Sequence, residues 1–369
     1  MSLNKLELRY FRNIKKADFS FSDTFNIIAG NNGAGKTNIL ESIYYLSLNR
    51  SFRTSQTKKL IQSQENHLQV VGHLKDSFSG ADSILGIRKS VADSQIKING
   101  EMIKQLSRLA ATLPVQVIHP QGHQLLEQGP KQRRQFLDWG VFHVEPVFLS
   151  IWHDYTHTLK QRNAALRQGQ ATKFIQLWDK GLLELGEKMT FLRKQYLNNI
   201  QPYILKYCLS LMDLEIAAEY RCGWAANTDF ESALNNGLEF DRQSGFTRCG
   251  PHRADLIFNC DNHRVQDYLS RGQQKLLVCA LRFAQIKLLK KQKQQDVVLL
   301  IDDVAAELDE QHREKLINTA LETGAQIFVS TNQLDLLKFN EKVNYKVFHV
   351  EHGQVSEMIQ SPALMERKA

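Results

Sequence analysis

Apolar and polar residues alternate along much of residues 1–118, and this period of two predicts β-strands. The dipeptide Asn99-Gly100 separates two short apolar runs, which is a strong signal for a β-hairpin. The other alternating runs are residues 6–10, 19–21, 67–74, 84–89 and 113–118. The first part of the chain is therefore expected to be rich in strands.

From about residue 121 to residue 210 the apolar spacing becomes helical, with Gly169-Gln170 as a break between helices. The periodic segments are residues 133–141, 147–166 and 174–196. The spacing is not a sustained heptad, so no long coiled coil is expected. From Leu269 onward the order is loop, long helix, apolar strand, helix, strand and helix, which predicts an α/β arrangement.

A phosphate-binding pattern lies between a predicted buried strand, residues 25–29, and a predicted helix, residues 38–46. It reads Gly30-Asn31-Asn32-Gly33-Ala34-Gly35-Lys36-Thr37 and fits G-x-x-x-x-G-K-[ST]. Glycines let backbone N–H groups surround phosphates, Lys36 can reach the β- and γ-phosphates, and the Thr37 hydroxyl can bind Mg²⁺. We expect Lys36 to be exposed when no nucleotide is bound. The alternative, a chance glycine-rich turn, does not explain the flanking elements, so the pattern predicts a nucleoside triphosphate site.

A second nucleotide motif follows the apolar run of residues 297–301, which suits a strand covered on both faces. Asp302 and Asp303 stand at its carboxyl end, where parallel sheets bind ligands. Asp302 is predicted to bind Mg²⁺, directly or through water, and Asp303 to polarise the attacking water. The alternative is a buried strand that ends in a polar turn.

The distance between the two motifs is informative, because Asp302 follows Thr37 by 265 positions. A whole lobe is therefore expected to be inserted between two halves of one sheet. Just before the second half, Ser270-Arg271-Gly272-Gln273 opens a helical run. The Ser270 hydroxyl, the Gly272 backbone and the helix dipole favour a phosphate, although the segment alone could be only an N-capped helix start.

Composition excludes some classes of protein. The chain of 369 residues is long enough for two cores, and its five cysteines, an odd number with no C-x-x-C pair, are expected to be reduced. No run of about 18 apolar residues and no signal-peptide pattern is found, so a cytoplasmic protein is expected. The net charge of +8 is compatible with nucleic acid but does not demonstrate it.

The motifs together resemble the ABC-type ATPase heads, and within them the RecF family of the SMC-like group. The elements Arg133-Arg134-Gln135-Phe136-Leu137-Asp138 and Gly250-Pro251-His252-Arg253 are the most specific to that family. Matching segments span the chain: residues 8–13, 30–38, 129–138, 160–163, 250–255, 270–275 and 301–309.

The resemblance implies an α/β fold of the ABC-type head with mixed β-sheets and a mostly helical inserted second lobe. Residues 1–119 would begin the ATPase lobe, residues 120–268 would form the inserted lobe, and residues 269–369 would carry the signature segment and complete the core. It also implies a weak ATPase with ATP and Mg²⁺ as cofactors, an ATP-dependent homodimer, DNA as a partner, and the mediator proteins RecR and RecO as further partners. The function implied is ATP-dependent DNA binding in recombinational repair and replication restart.

The resemblance also assigns residues. Besides the phosphate loop, the nucleotide would be contacted by Asn38, Arg12, Ser270, Gly272 and Gln273, and Lys36, Asp303 and Ser270 would be catalytic. Gln121 would sense the metal bound by Thr37 and Asp302. The candidate DNA contacts are Lys131, Arg133, Arg134, Lys287, Lys290 and Lys291. The alternative for the first three is a contact between the two lobes.

Several positions depart from related ATPases. Asp303 stands where transporters carry Glu, Thr331-Asn332 stands where they carry a switch His, Gln121 replaces an acidic residue, and Ala306 replaces Ser. The shorter carboxylate and missing His predict slow hydrolysis. Three alternatives remain at this point: the ATPase subunit of a membrane transporter, a small-molecule kinase and a structural scaffold.

Overall fold

The computed structural model describes residues 1–303, 308–334, 337 and 343–358. The chain forms two compact units, lobe I (Met1–Gly122 with Lys290–Ala369, as far as described) and lobe II (His123–Leu289). The first division lies close to the predicted position. The second falls after Leu289 rather than after residue 268, because side chains of the intervening helix bond within lobe II, as Gln285 does to the Phe136 carbonyl at 2.7 Å.

The first part of lobe I consists of eight strands and two helices. Its elements are β1 (Ser2–Phe11), β2 (Ile14–Ser20), β3 (Phe25–Ala29), α1 (Lys36–Leu48), β4 (His67–Lys75), β5 (Asp82–Ser90), β6 (Ser94–Ile98), β7 (Glu101–Met102), α2 (Leu106–Thr112) and β8 (Val115–Ile118).

Lobe II is mostly helical. Its elements are α3 (Gln124–Glu127), α4 (Pro130–Val144), α5 (Phe148–Arg167), α6 (Thr172–Gln176), α7 (Asp179–Met212), β9 (Ala217–Arg221), α8 (Phe230–Asn236), α9 (Leu238–Ser244), β10 (Asp255–Cys260), β11 (His263–Arg264), α10 (Val265–Tyr268) and α11 (Arg271–Lys293), whose last residues belong to lobe I.

In the part of residues 294–369 that the structure describes, four more strands and a helix complete lobe I. These are β12 (Val298–Asp302), α12 (Glu310–Glu322), β13 (Gln326–Thr331), β14 (Tyr345–Glu351) and β15 (Gln354–Met358).

Lobe I contains two sheets. One is antiparallel, in the order β2-β1-β4-β5-β6-β7. The other has the order β15-β14-β3-β13-β12-β8 and is parallel except for its β14–β15 edge. The second sheet joins β3, which precedes the phosphate loop, to β12 through β13. The predicted insertion between two halves of one sheet is therefore observed.

A continuous apolar core supports this arrangement. Side chains of the antiparallel sheet pack with α1 and the parallel sheet, and Leu6, Ile43, Val298 and Phe328 are all fully buried. The five residues of β3 and of β12 are buried throughout, as expected for strands covered on both faces. Burial on this scale fixes the ends of β3 and β12, and therefore the loops that follow them.

Lobe II departs from the sequence expectation in one respect. It contains a three-stranded antiparallel sheet, β11-β10-β9, beside its helices. Two of these strands are short: β9 is partly buried and β11 is exposed, so their apolar pattern is weak in the sequence. The longest helix described, α7, has 34 residues and continues through Pro202. Among the described helices, none is both long and apolar enough to cross a membrane.

Candidate nucleotide-binding site

The phosphate loop connects β3 to α1 in a conformation that depends on glycine. Gly30 and Gly35 have φ angles of 154° and 122°. A Cβ atom at Gly30 would lie 2.3 Å from the Val350 carbonyl oxygen, and one at Gly35 would lie 2.9 Å from Asn13 Oδ1. At Gly33, by contrast, no atom lies within 4 Å of such a position. Neighbouring atoms therefore confine the backbone at Gly30 and Gly35, whereas the space beside Gly33, in the middle of the loop, is open.

The first turn of α1 offers its N–H groups to an anion. Gly35 is the N-cap, makes no side-chain capping bond, and is followed by no acidic residue in the first turn. The first N–H groups of a helix lack intrahelical acceptors and carry the positive end of the helix dipole. This arrangement fits a phosphate without further adjustment of the chain.

Lys36 is buried, with 6% of its surface exposed, so the expectation of an exposed side chain was wrong. Its Nζ atom donates to the carbonyl oxygens of Gly30 at 2.7 Å and Asn31 at 3.0 Å. Burial lowers the pKa of Lys36, and the charges of Asp303 and Asp302 oppose that shift. The loop thus folds back on its own lysine and holds the ammonium group between loop carbonyls and two carboxylates.

Three oxygen-bearing side chains meet at the end of the parallel sheet. Asp302 Oδ1 accepts hydrogen bonds from Thr37 Oγ1 at 2.9 Å and from Ser330 Oγ at 2.8 Å. Asp302 and Ser330 are paired residues of β12 and β13. Burial raises the pKa of Asp302, while both hydrogen bonds work in the opposite direction. The structure therefore brings Thr37 and Asp302 together as the sequence predicted.

The donor set fits Mg²⁺. A hydroxyl and a carboxylate are hard oxygen ligands, and Mg²⁺ is usually bound through one or two carboxylates together with phosphates and water. Within the described part of the chain, no group of three or more His, Cys, Asp or Glu could hold a metal by itself. Thr37 and Asp302 are accordingly suited to a metal that arrives with a nucleotide.

Asp303 has an unusual environment. It adopts the left-handed backbone conformation, with φ of 53°, and its N–H group donates to Ser330 Oγ at 2.9 Å. Its Oδ1 atom is buried and has no hydrogen-bond partner among the described residues. A buried carboxylate oxygen without a donor is costly, so it suggests a donor supplied by a ligand or by water. This fits the predicted role of polarising the attacking water.

Arg12, predicted to contact the nucleotide, has another partner. Its guanidinium donates to both carboxylate oxygens of the fully buried Glu41, at 2.9 Å and 2.7 Å. Glu41 lies on α1, so this bidentate pair fixes the helix against the turn between β1 and β2. The structure supports a positioning role for Arg12.

Asn38 belongs to a chain of hydrogen bonds beneath the loop. Its Nδ2 donates to Asn13 Oδ1 at 2.8 Å, and Asn13 Nδ2 donates to the Ala34 carbonyl at 3.0 Å. Arg53 Nη1 in turn donates to Asn38 Oδ1 at 2.9 Å. Asn13 and Arg53 therefore tie neighbouring segments to the phosphate loop.

The signature segment, residues 270–275, begins α11 in lobe II. The Ser270 N–H group donates to Gln273 Oε1 at 3.0 Å, and the Gln273 N–H group donates to Ser270 Oγ at 3.3 Å. This reciprocal pair is a capping box. Ser270 and Gly272 are exposed, and nothing lies within 4 Å of a Cβ position at Gly272. Within one chain, these residues satisfy each other and belong to a different lobe from Lys36.

Gln121 lies in a short 3-10 turn, Pro120–His123, just after β8. Ile118, the last residue of β8, pairs with Ile301 of β12, so the turn follows the same sheet edge as Asp302. Its metal-sensing role stays a prediction. Ala306 and Glu307 lie outside the described residues.

The candidate DNA contacts differ in their surroundings. Arg133 is only 7% exposed and donates to both oxygens of Asp255, at 2.8 Å and 2.9 Å, so we remove it from the DNA-contacting set. Burial lowers the pKa of the half-buried Arg134, which donates to the Ala254 carbonyl at 2.6 Å. Lys290 donates to the Gly324 carbonyl. Lys131 and Lys291 are exposed, and Lys287 is half-buried.

Sequence reasoning missed three supporting residues: Ser330, Glu41 and Asn13. Ser330 could have been found, because it lies near the end of the apolar strand next to β12, in a position equivalent to that of Asp302. The sequence indicates Glu41 less clearly: it is a carboxylate on the apolar side of a predicted helix, where a charged side chain needs a partner.

Comparison with known proteins supports this fold. The family described as RecF/RecN/SMC N terminal domain matches residues 2–356. The DNA replication and repair protein RecF of Shewanella frigidimarina is 43% identical over 361 residues, covering 96% of this chain and 99% of that protein. Its counterpart in Shewanella woodyi is 42% identical over 361 residues, covering 96% and 98% respectively.

Solved structures agree in fold. The recombination mediator protein RecF with ATP gives a TM-score of 0.84 at 24% identity, covering 97% of this chain and 98% of that one. An SMC head bound to the winged-helix domain of ScpA gives 0.61 at 16% identity, covering 97% of this chain and 98% of that one. The fold and the family match define an ABC-type ATPase head of the RecF/RecN/SMC class. Within that class, the chain belongs to the RecF family of DNA replication and repair proteins. This membership disfavours a transporter subunit.

Proposed function

We propose that this protein binds and slowly hydrolyses ATP with Mg²⁺, and that ATP drives a dimer that clamps gapped or duplex DNA during recombinational repair and replication restart. The observation that carries the proposal is the cluster in lobe I. There Thr37 donates a hydrogen bond to Asp302, and Oδ1 of the adjacent Asp303 has no hydrogen-bond partner among the described residues. ATP binding by the RecF named above supports the choice of nucleotide.

Each residue has a part in the proposed reaction. The glycine backbone and the first turn of α1 hold the phosphates, and Lys36 exchanges its loop carbonyls for phosphate oxygens. Thr37 and Asp302 hold Mg²⁺, which supplies charge neutralisation at the phosphates when bound. Asp303 orients the attacking water and accepts its proton. Asp303 has a shorter side chain than glutamate and a left-handed backbone conformation. Both features suit slow turnover, as in an ATPase that acts as a switch between two states.

The signature segment is the reason for proposing a dimer. Ser270 and Gly272 are exposed and lie in lobe II, whereas the phosphate loop lies in lobe I. In the proposed dimer, the nucleotide held by Lys36 of one protomer is completed by Ser270 and Gly272 of the partner. Two ATP molecules then bridge a two-fold interface, and their hydrolysis releases it.

DNA contacts in the proposed clamp come from basic residues that remain accessible, chiefly Lys131 and Lys291, with Arg134, Lys287 and Lys290 contributing. Such contacts reach phosphates and give sequence-independent, salt-sensitive binding. The family relationship suggests RecR and RecO as protein partners, recombinase loading on single strands as the outcome, and support of the SOS response. Stimulation of hydrolysis by DNA is part of the same proposal.

The test is sedimentation of the protein with and without ATP and a gapped DNA, at several salt concentrations. We expect a monomer without nucleotide, a dimer with ATP, and ATP-dependent DNA binding whose affinity falls steeply with salt. Lys36→Ala is the matched variant and should show neither change. A DNA affinity that changes neither with ATP nor with salt concentration would contradict the proposal.

A further inference from the structure

A short surface segment of lobe II presents two phenylalanines, each paired with an arginine. Phe240 at 59% and Phe246 at 41% are unusually exposed for their size. The Arg248 guanidinium lies 5.6 Å from the centre of the Phe240 ring, and that of Arg253 lies 5.5 Å from the centre of the Phe246 ring. Both arginines are exposed, and among the described residues neither has an ion-pair partner. We call residues 240–253 the aromatic–arginine segment.

The segment is fixed from below by buried polar groups. The fully buried Arg162 donates from Nη1 to Asp241 Oδ2 at 2.7 Å and to Thr247 Oγ1 at 2.8 Å. Asp241 also accepts the Arg248 N–H group at 2.9 Å, and Asn163 Oδ1 accepts the Thr247 N–H group at 2.8 Å. Arg162 Nη2 has no hydrogen-bond partner among the described residues, but the other bonds join α5 to Asp241 and Thr247 and so constrain the backbone of the segment. The exposed rings are therefore presented on a rigid backbone.

The chemistry of the segment matches unstacked bases on a phosphate backbone. Exposed aromatic rings and guanidinium planes stack bases of any sequence, and arginine charges attract the phosphates between them. Arg242 adds a cation on the same segment, held by the Gln170 carbonyl at 3.3 Å and by Thr172 Oγ1 at 3.1 Å. We propose that the aromatic–arginine segment is a binding site for single-stranded DNA, a proposal that rests on the DNA-binding function above and specifies its single-stranded part.

Two other occupants would use the segment differently. Duplex DNA hides its base faces, so it would engage the arginines and leave the rings unused. An acidic protein segment would likewise need the charges and gain little from flat aromatic faces. The alternation of ring and cation along one short stretch therefore favours a single strand.

The experiment measures binding of the full chain to three fluorescent DNAs of equal length: a single strand, a duplex and a single strand with abasic residues. Each is measured with Mg²⁺ in the presence and in the absence of ATP. The double variant Phe240→Ala/Phe246→Ala should bind single-stranded DNA about tenfold more weakly or worse, since each stacked base contributes substantially. Its binding to duplex and to the abasic strand should not change. Phe191→Ala is the control, because Phe191 is 65% exposed in the same lobe.

A second pair of variants tests the charges. Arg248→Gln/Arg253→Gln should reduce the slope of log affinity against log salt on single-stranded DNA by about 0.7 for each phosphate that is no longer neutralised. The phenylalanine variants should leave that slope unchanged. Arg221→Gln is the control, since Arg221 is exposed in lobe II and paired with Glu219 at 3.0 Å.

The outcomes separate the two proposals. If the phenylalanine variants bind single-stranded DNA like the parent, or weaken equally on the abasic strand, the stacking site is wrong. If only the arginine variants weaken binding, the segment meets a backbone or an acidic partner alone, and the site is again wrong. If the parent binds single strands through these residues but without ATP dependence, the site stands and the clamp proposal fails. No DNA binding in any state overturns both.

Discussion

The two helices that the proposed dimer would bring to the nucleotide begin in opposite ways. Helix α1 starts at a glycine with no side-chain cap and no acidic residue in its first turn. Helix α11 starts with Ser270 and Gln273 bonded to each other's backbone. The first helix is thus built for an external anion, whereas the second is complete by itself and must exchange its capping bonds to bind one.

This difference separates stability from function. Around α1, a buried lysine, a buried aspartate and an unpartnered carboxylate oxygen are retained although they cost folding energy. Substitutions there should damage activity more than stability. At α11 we expect the opposite for the isolated chain: substitution of Ser270 should damage stability more than activity, because Ser270 contributes a helix cap.

The largest effect is expected for Lys36→Ala. It should weaken ATP binding by about 2–5 kcal/mol, as for removal of one partner of a buried charge pair. Burial lowers the pKa of Lys36, so the charged form is less favourable in the folded protein, and stability without nucleotide should not fall. Titration calorimetry and thermal melting check both results, with the exposed Lys97→Ala as control. Normal ATP affinity in a folded variant would contradict the site.

Asp303→Asn should retain ATP binding and reduce turnover by about 10²–10⁴-fold, the usual contribution of a general base. Asparagine also tolerates the left-handed conformation at this position, so the melting temperature should be maintained. Single-turnover hydrolysis measures the effect, and Asp82→Asn, at an exposed position of lobe I, is the control. Full turnover in Asp303→Asn would remove its proposed role.

Ser270→Arg should bind ATP like the parent but fail to dimerise, because a bulky cation replaces the hydroxyl that meets the partner's nucleotide. Loss of the cap should cost about 1 kcal/mol of stability. Asp229→Arg is the matched control, since Asp229 caps α8 in the same lobe by accepting the Ser232 N–H group at 2.6 Å. Sedimentation with ATP distinguishes them: dimers from Asp229→Arg alone are expected, and dimers from both would refute the arrangement.

The smallest effect is expected for Asp302→Asn without nucleotide. The folded-state pKa of Asp302 is raised, so its ionised form destabilises the protein above that pKa and the penalty disappears as pH falls through it. The variant should therefore melt higher than the parent near neutral pH, by no more than about 2–4 °C. The difference should shrink as the pH falls toward the usual pKa of an aspartate, about 4. A variant that melts lower at neutral pH would show that the amide cannot accept the bonds from Thr37 and Ser330.

Sequence reasoning identified the phosphate loop, the position of Asp302 beside Thr37 and the insertion between the two motifs, because each is a local pattern or a spacing along the chain. It failed at Lys36 and Arg133. Lys36 was expected to be exposed without nucleotide, and Arg133 was a candidate DNA contact. Lys36 instead bonds to loop carbonyls, and Arg133 bonds to Asp255. No local side-chain pattern predicts these bonds, because Lys36 bonds to backbone atoms and the partner of Arg133, Asp255, lies far along the chain.

The amino-acid sequence by itself determined the phosphate loop and the order of strands and helices, because glycine conformation, strand burial and helix periodicity are properties of neighbouring residues. The ABC-type fold and the family were implied by the resemblance of its motifs to known ATPases. Only the tertiary structure decided which charged groups are internal and which face a ligand. Arg12, Arg133 and Arg162 are buried or half-buried against carboxylates, while Arg248 and Arg253 lie exposed over aromatic rings. The reason is physical: a guanidinium is stable inside a protein only where the fold supplies its counter-charge.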